Sequence, residues 1–196
     1  MDYFRPSTTE TKSDAERETW GKITGARLGG FIFGLAIFLA ALFLSEPGFI
    51  FGLDHANLLF HEAGHPIAGL FSARLETYGG TMGQLTFPLL LAISFWRKRE
   101  ARACATSVIW FFENFLNIAR YMADARAQEL PLVGGGDHDW CTIFLRWNVL
   151  PYDLDIAHAV KFLGWTGMTL AVLWVIWRWW RDRQRVESVE QFGLTP

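Results

Sequence analysis

Residues 28–44 are seventeen consecutive positions without a charged side chain. No other feature restricts the fold as much. As a helix rising about 1.5 Å per residue, such a run just crosses a bilayer's hydrocarbon core. Further apolar blocks cover residues 53–71, 103–123 and 162–177. Hydrophobic residues make up 51% of the 196 and charged residues 19%, yet the mean hydropathy is only +0.16. The apolar residues are therefore concentrated in blocks, which is the pattern of a membrane protein. It excludes a disordered regulator. Eighteen basic side chains against twenty acidic ones give a net charge of −2, so no basic field for nucleic acid is expected. Cys104 and Cys141 are too few for a disulfide framework and read as small apolar residues.

The expected architecture is all-α: a polytopic integral membrane protein with about four transmembrane helices plus a short re-entrant segment. Residues 1–27 read as a cytosolic tail, 28–180 as a transmembrane metal-binding domain and 181–196 as a second cytosolic tail. The polar leader is too long and too acidic for a signal-peptide n-region. Residues 77–84, with Gly79, Gly80 and Gly83, read as a turn. They lead into residues 85–96, a dozen mostly apolar positions that include Pro88 and are short for a span. Residues 140–150 read as an interfacial helix. Basic clusters at 97–102 and 178–185, with the basic N-terminal tail, place both termini in the cytosol. On that scheme the block at 53–71 runs inward and the block at 103–123 runs outward.

Block 53–71 is no ordinary lipid-facing span. It contains His61-Glu62-Ala63-Gly64-His65, an H-E-x-x-H. On a helix, residues four apart share a face, so His61 and His65 can hold one Zn²⁺ between them. Glu62 is placed to act as general base on a metal-activated water. Ionisable residues at membrane depth are costly and usually functional. Gly64 and Pro66 predict a kink at the site.

A His-Glu-Ala-Gly-His inside an apolar helix, followed by a Gly-rich segment, resembles the site-2 protease family of intramembrane zinc metalloproteases. The resemblance covers roughly residues 55–124. It implies zinc ligands at His61 and His65, a catalytic Glu62, and a third ligand at Asp124, seven residues after Asn117. The family's Asp-Gly ending is absent, since Ala125 follows. The resemblance also implies a substrate that is a membrane-embedded or membrane-adjacent peptide. Gly80, Met82 and Gln84 would bind it by strand addition.

Two further patterns bear on the third ligand. Glu113, Asn117, Arg120 and Asp124 form one polar stripe on an apolar helix. The stripe is also readable as an interhelical hydrogen-bond seam. Downstream, His138 sits between Asp137 and Asp139 after three glycines, and is the alternative ligand to Asp124. An Asp beside such a His can orient it as an outer-shell partner. His55 and His158 are assigned no role. The leading expectation is thus a zinc metallopeptidase-like hydrolase in a lipid bilayer. Its rivals are a non-catalytic metal-binding membrane protein (a sensor, metal-handling or assembly factor) and a metalloenzyme acting on something other than a peptide. Substrate identity and oligomeric state are not legible.

Overall fold

The computed structural model describes residues 20–45, 50–133 and 137–191. The N-terminal tail up to residue 19, residues 46–49, the three glycines at 134–136 and residues 192–196 lie outside the described residues. Every long element described is helical: α1 (Gly25–Leu44), α2 (Leu53–Gly69), α3 (Ala73–Arg97), α4 (Ala101–Ala123), α5 (Asp139–Trp147) and α6 (Asp153–Gln191). A 3-10 turn, Leu150–Tyr152, joins the last two. Two segments, Gly25–Leu44 and Leu150–Arg185, are long and apolar enough to cross a membrane.

Local chemistry sets the helix ends. The Thr24 and Ser72 hydroxyls accept from the backbone N–H of Arg27 and Leu75 and so cap α1 and α3. Gly52, at φ 91, turns the chain into α2, a conformation glycine adopts without steric cost. α2 stops within a turn of Pro66, at Gly69. Asn148, at φ 57, ends α5 in the left-handed region. Asp153 opens α6, and its fully buried carboxylate binds Arg126 Nε at 2.8 Å through both oxygens.

The expectation for residues 77–96 needs correction. There is no turn and no separate short segment: α3 runs unbroken for 25 residues through Gly79, Gly80, Gly83 and Pro88. Its glycines are contacts. A methyl on Gly64 would lie 2.0 Å from the Gly79 carbonyl oxygen, and one on Gly83 would lie 2.2 Å from the Phe60 carbonyl oxygen. α2 and α3 thus touch backbone to backbone, which small residues allow between apolar helices. The backbone of 80–84 is committed to α3 and is not offered for strand addition.

The direction expected for the second block also changes. α2 and α3 form an antiparallel hairpin through the Gly64–Gly79 and Phe60–Gly83 contacts. α3 and α4 form another, with Cys104 Sγ donating to the Ala92 carbonyl and Phe87 against Trp110. Hence α2 runs parallel to α4. α1 does too: Ile23 clusters with Ala101 and Val175, while Phe38 lies further along, against Ile109 and Met168. α1 and α2 therefore follow one another in the same direction, and α2 starts partway along the bundle. A run of apolar residues carries no sign, so its direction depends on these glycine contacts.

One end of the bundle is basic and aromatic. Trp20 meets Trp96 and Trp174 edge-on at 4.8 and 5.2 Å, and the guanidiniums of Arg99 and Arg178 lie over it. The Ile23 N–H donates to Asp182 at 3.0 Å. The opposite end holds α5, which buries Trp140, Ile143 and Phe144 against Ile118 and Met122 of α4 and Ala157 of α6. The outer faces of α1, α2, α3 and α6 leave large apolar side chains exposed, among them Phe33, Leu59, Leu90 and Leu170. Helix α6 continues to Gln191, so residues 181–191 are a helical extension.

Candidate metal centre

His61 and His65 stand one turn apart on α2, with ring centroids 4.9 Å apart. Both turn Nε2 toward one atom, Asp139 Oδ2, at 3.1 Å from His61 and 3.3 Å from His65. The opposite nitrogens are held. His61 Nδ1 meets Gln84 Oε1 at 3.0 Å, and His65 Nδ1 meets the Glu76 carbonyl oxygen at 2.8 Å. An imidazole nitrogen facing a carbonyl oxygen carries the proton and donates it. Each ring then has Nε2 left for Asp139 Oδ2, as a lone pair toward a bound cation or as a donor when the ring carries a second proton. Among the described residues His61, His65 and Asp139 form the one His/Cys/Asp/Glu group whose ligand atoms all lie within 4.8 Å of one another, close enough to hold a metal ion. An outer shell of Nδ1–H bonds to carbonyl oxygens is the usual device for orienting metal-bound histidines.

Three elements build the group. α2 supplies the histidines, α3 supplies Gln84, the Glu76 carbonyl and the close surface of Gly80, and α5 supplies Asp139. His138 caps α5, its Nδ1 accepting from the Cys141 N–H at 3.2 Å. That places Asp139 at the first helical position. Its N–H donates to the Tyr121 hydroxyl at 3.2 Å, and the Tyr121 ring stacks on His138 with centroids 4.1 Å apart.

The structure brings neither Asp124 nor His138 to the histidine pair. Asp124 follows α4, where its carboxylate accepts from the Glu129 N–H at 2.8 Å and the Leu130 N–H at 3.1 Å. These bonds tie the following loop to the helix end. His138 is 2% exposed and faces Asp124 Oδ2 at 3.4 Å. Burial pushes its imidazole below the ordinary histidine range, against the charges of Asp124 and Asp139. Of the residues expected to bind substrate, Gly80 abuts the His61 ring, Gln84 orients it, and Met82 is exposed on the outer face of α3. Asp139 was within the Asp-His-Asp pattern, but the ligand role was given to its neighbour.

The rest of the stripe on α4 forms a seam with α2. Glu113 is buried, accepting from Asn57 Nδ2 at 3.0 Å and from Asn117 Nδ2 at 2.7 Å. Trp110 Nε1 donates to Asn57 Oδ1 at 2.8 Å.

The histidine pair, Asp139, Asn57 and Asn117 share one cavity of about 880 Å³. It runs past Asp54, Asn57, His61, Glu62 and His65 on α2 to Asp139 on α5, and Leu130 to Val133 form an apolar part of its wall. Glu62 lines it beside His61. Comparison with known protein families, curated proteins and solved structures finds no match.

Proposed function

We propose that this chain is a membrane-embedded zinc peptidase. The carrying observation is the convergence of His61 Nε2, His65 Nε2 and Asp139 Oδ2, with both Nδ1 atoms engaged behind them. Two ligand atoms of a tetrahedral zinc at 2.0–2.1 Å lie about 3.3 Å apart. The contacts of 3.1 and 3.3 Å to Asp139 suit that spacing. Two imidazoles and one carboxylate are also the donor set of catalytic zinc sites, in which one position stays open. A zinc ion held there supplies a Lewis acid that polarises a carbonyl and lowers the pKa of a water.

Glu62 adjoins His61 on α2 and faces the cavity. In this reading its carboxylate takes the proton from the attacking water and returns it to the leaving amine. His61 and His65 stay fixed by Gln84 and the Glu76 carbonyl. Asp139 closes the site from α5, and residues 130–133 give its cavity an apolar wall.

The proposed setting is a bilayer crossed by α1, α3, α4 and α6, with α2 embedded over part of its depth. The exposed Leu59, Ile67, Leu89 and Ile93 on the hairpin of α2 and α3 support this, because such side chains face lipid at low cost. The cluster around Trp20, Arg99 and Arg178 marks the cytosolic end by the positive-inside rule. The metal centre then lies toward the opposite face, and both termini are cytosolic. A peptide presented there must leave its helix before its amide is accessible.

The test uses the purified full chain in detergent. Zinc should be present at about one per chain by elemental analysis and be lost in His61→Ala and His65→Ala. Glu62→Gln should keep the zinc and lose peptide cleavage by at least about a hundredfold, the scale of a general base. Zinc retention with no cleavage by the unaltered chain would leave a non-catalytic metal protein.

A further inference from the structure

The cavity continues beyond the metal centre, and its far part is built for a ligand group that the zinc reading does not use. Asp54 is in the first turn of α2 and lines the cavity. It is 4% exposed. Its Oδ2 accepts from the Ile50 N–H, while its Oδ1 is buried and has no hydrogen-bond partner. A buried carboxylate oxygen without a donor carries a desolvation penalty that a donating ligand relieves. Asn57 and Asn117 also stand beside the Asp54 carboxylate, but their amide N–H groups are turned to Glu113. Both oxygens of Glu113 are already occupied by Asn57 and Asn117. Arg120 acts on Asp54 electrostatically from the same wall.

The charge of the cavity points the same way. Besides Glu62 and Asp139, its wall carries the carboxylates of Asp54, Glu76 and Asp137, against two guanidiniums, Arg120 and Arg146. Five carboxylates against two guanidiniums leave the wall acidic even after a divalent ion is bound. A cleft of one sign gathers ligands of the other.

Resting on the peptidase reading, we propose that Asp54 forms a subsite for a primary ammonium of the peptide substrate. Asp54 and His61 are seven residues apart on one face of α2, about 10 Å along the helix axis. An extended peptide advances about 3.3 Å per residue. The recognised ammonium therefore belongs about three residues from the scissile amide. A lysine side chain and a free N-terminus present the same group.

The test measures binding in the zinc-loaded full chain carrying Glu62→Gln, so that turnover does not enter. The probes are short fluorescent apolar peptides with one lysine moved along the sequence, each matched by a norleucine peptide. One set has an acetylated N-terminus, the other a free one. The best-placed acetylated lysine peptide should bind about tenfold tighter than its norleucine match. If instead the free-N-terminus norleucine peptides bind about tenfold tighter than their acetylated counterparts, the ammonium is the terminal one. Asp54→Asn should bring the paired affinities to within about twofold, the loss expected for one charge-assisted bond. Carbodiimide coupling of the bound lysine peptide, read by mass spectrometry, should attach it to Asp54. Equal affinities across the lysine, norleucine, acetylated and free-N-terminus peptides, no binding by any of them, or coupling only at Glu76 or Asp137 overturns the subsite. Cleavage without a lysine preference removes the subsite alone. A lysine preference without cleavage removes the peptidase reading alone.

Discussion

The His61 ring rests directly on the Cα of Gly80. A methyl at position 80 would lie 2.4 Å from His61 Nε2 and 2.5 Å from Cε1. The imidazole is held at both nitrogens, by Gln84 and by Asp139, so it has nowhere to move that preserves both contacts. Gly80→Ala should therefore tilt the ring and weaken zinc binding by about ten- to a hundredfold, as displaced orienting contacts do. Competition titration with a chromogenic chelator measures it. An unchanged affinity would show that the ring is not held by this contact.

Asp139 and Asp124 should separate cleanly. Asp139→Ala removes one of three converging ligand atoms, and zinc affinity should fall by orders of magnitude. Asp124→Ala instead releases the Glu129 and Leu130 N–H groups, at about 1–3 kcal/mol of stability. Its zinc affinity should fall far less. Parallel zinc titrations and thermal unfolding of the two variants decide between them, and the reverse pattern would return the ligand role to Asp124.

The glycines of α1 and α2 predict opposite responses to one added methyl. On Gly64 it meets the Gly79 carbonyl at 2.0 Å, and backbone can yield only if the helices separate. Gly64→Ala should destabilise the chain by about 1–3 kcal/mol or more, the cost of overpacking. On Gly34 of α1 nothing stands within 4 Å. Gly34→Ala should be neutral or stabilising by up to about 1 kcal/mol, because alanine is the better helix former. Thermal unfolding of both in the same detergent checks the contrast.

The sequence discloses the long helices other than α3 and hides how the helices meet. Uncharged or periodic runs mark α1, α2, α4 and α6 because burial in lipid or protein excludes charge over a fixed length. α3 reads as a turn because Gly79, Gly80 and Gly83 are weak helix formers in water. Their use becomes visible only once Phe60 and Gly64 stand opposite. At the site, His61, Glu62 and His65 are legible because their spacing is local. Asp139 lies 78 residues from His61 in sequence. Choosing between it and His138 depends on which residue caps α5, and one step along a helix rotates the side chain by about 100°. Asp124 fits a helical stripe on spacing alone, but it lies past the last residue of α4, where its carboxylate turns back onto the loop.

The last prediction concerns how the metal couples distant segments. α2 and α3 are locked by their glycine contacts whether or not an ion is present. α5 reaches the centre through Asp139 alone, and a bound ion ties that carboxylate to both rings at once. Without the ion that tie is lost, and the loss falls on the element with the weakest local anchoring. The N-terminus of α5 is that element: it is held by the Tyr121 hydroxyl, the His138 cap and the Trp140 ring, while the fully buried Ile143 and Phe144 lie further along. Chelation should therefore raise amide exchange in residues 137–142, with residues 143–147 protected by the core and the α2–α3 hairpin unchanged. Hydrogen exchange with mass spectrometry, before and after zinc removal and again after zinc is restored, reads this directly. Exchange that rises in α2 instead, or nowhere, would mean that the ion does not join α5 to the histidine pair.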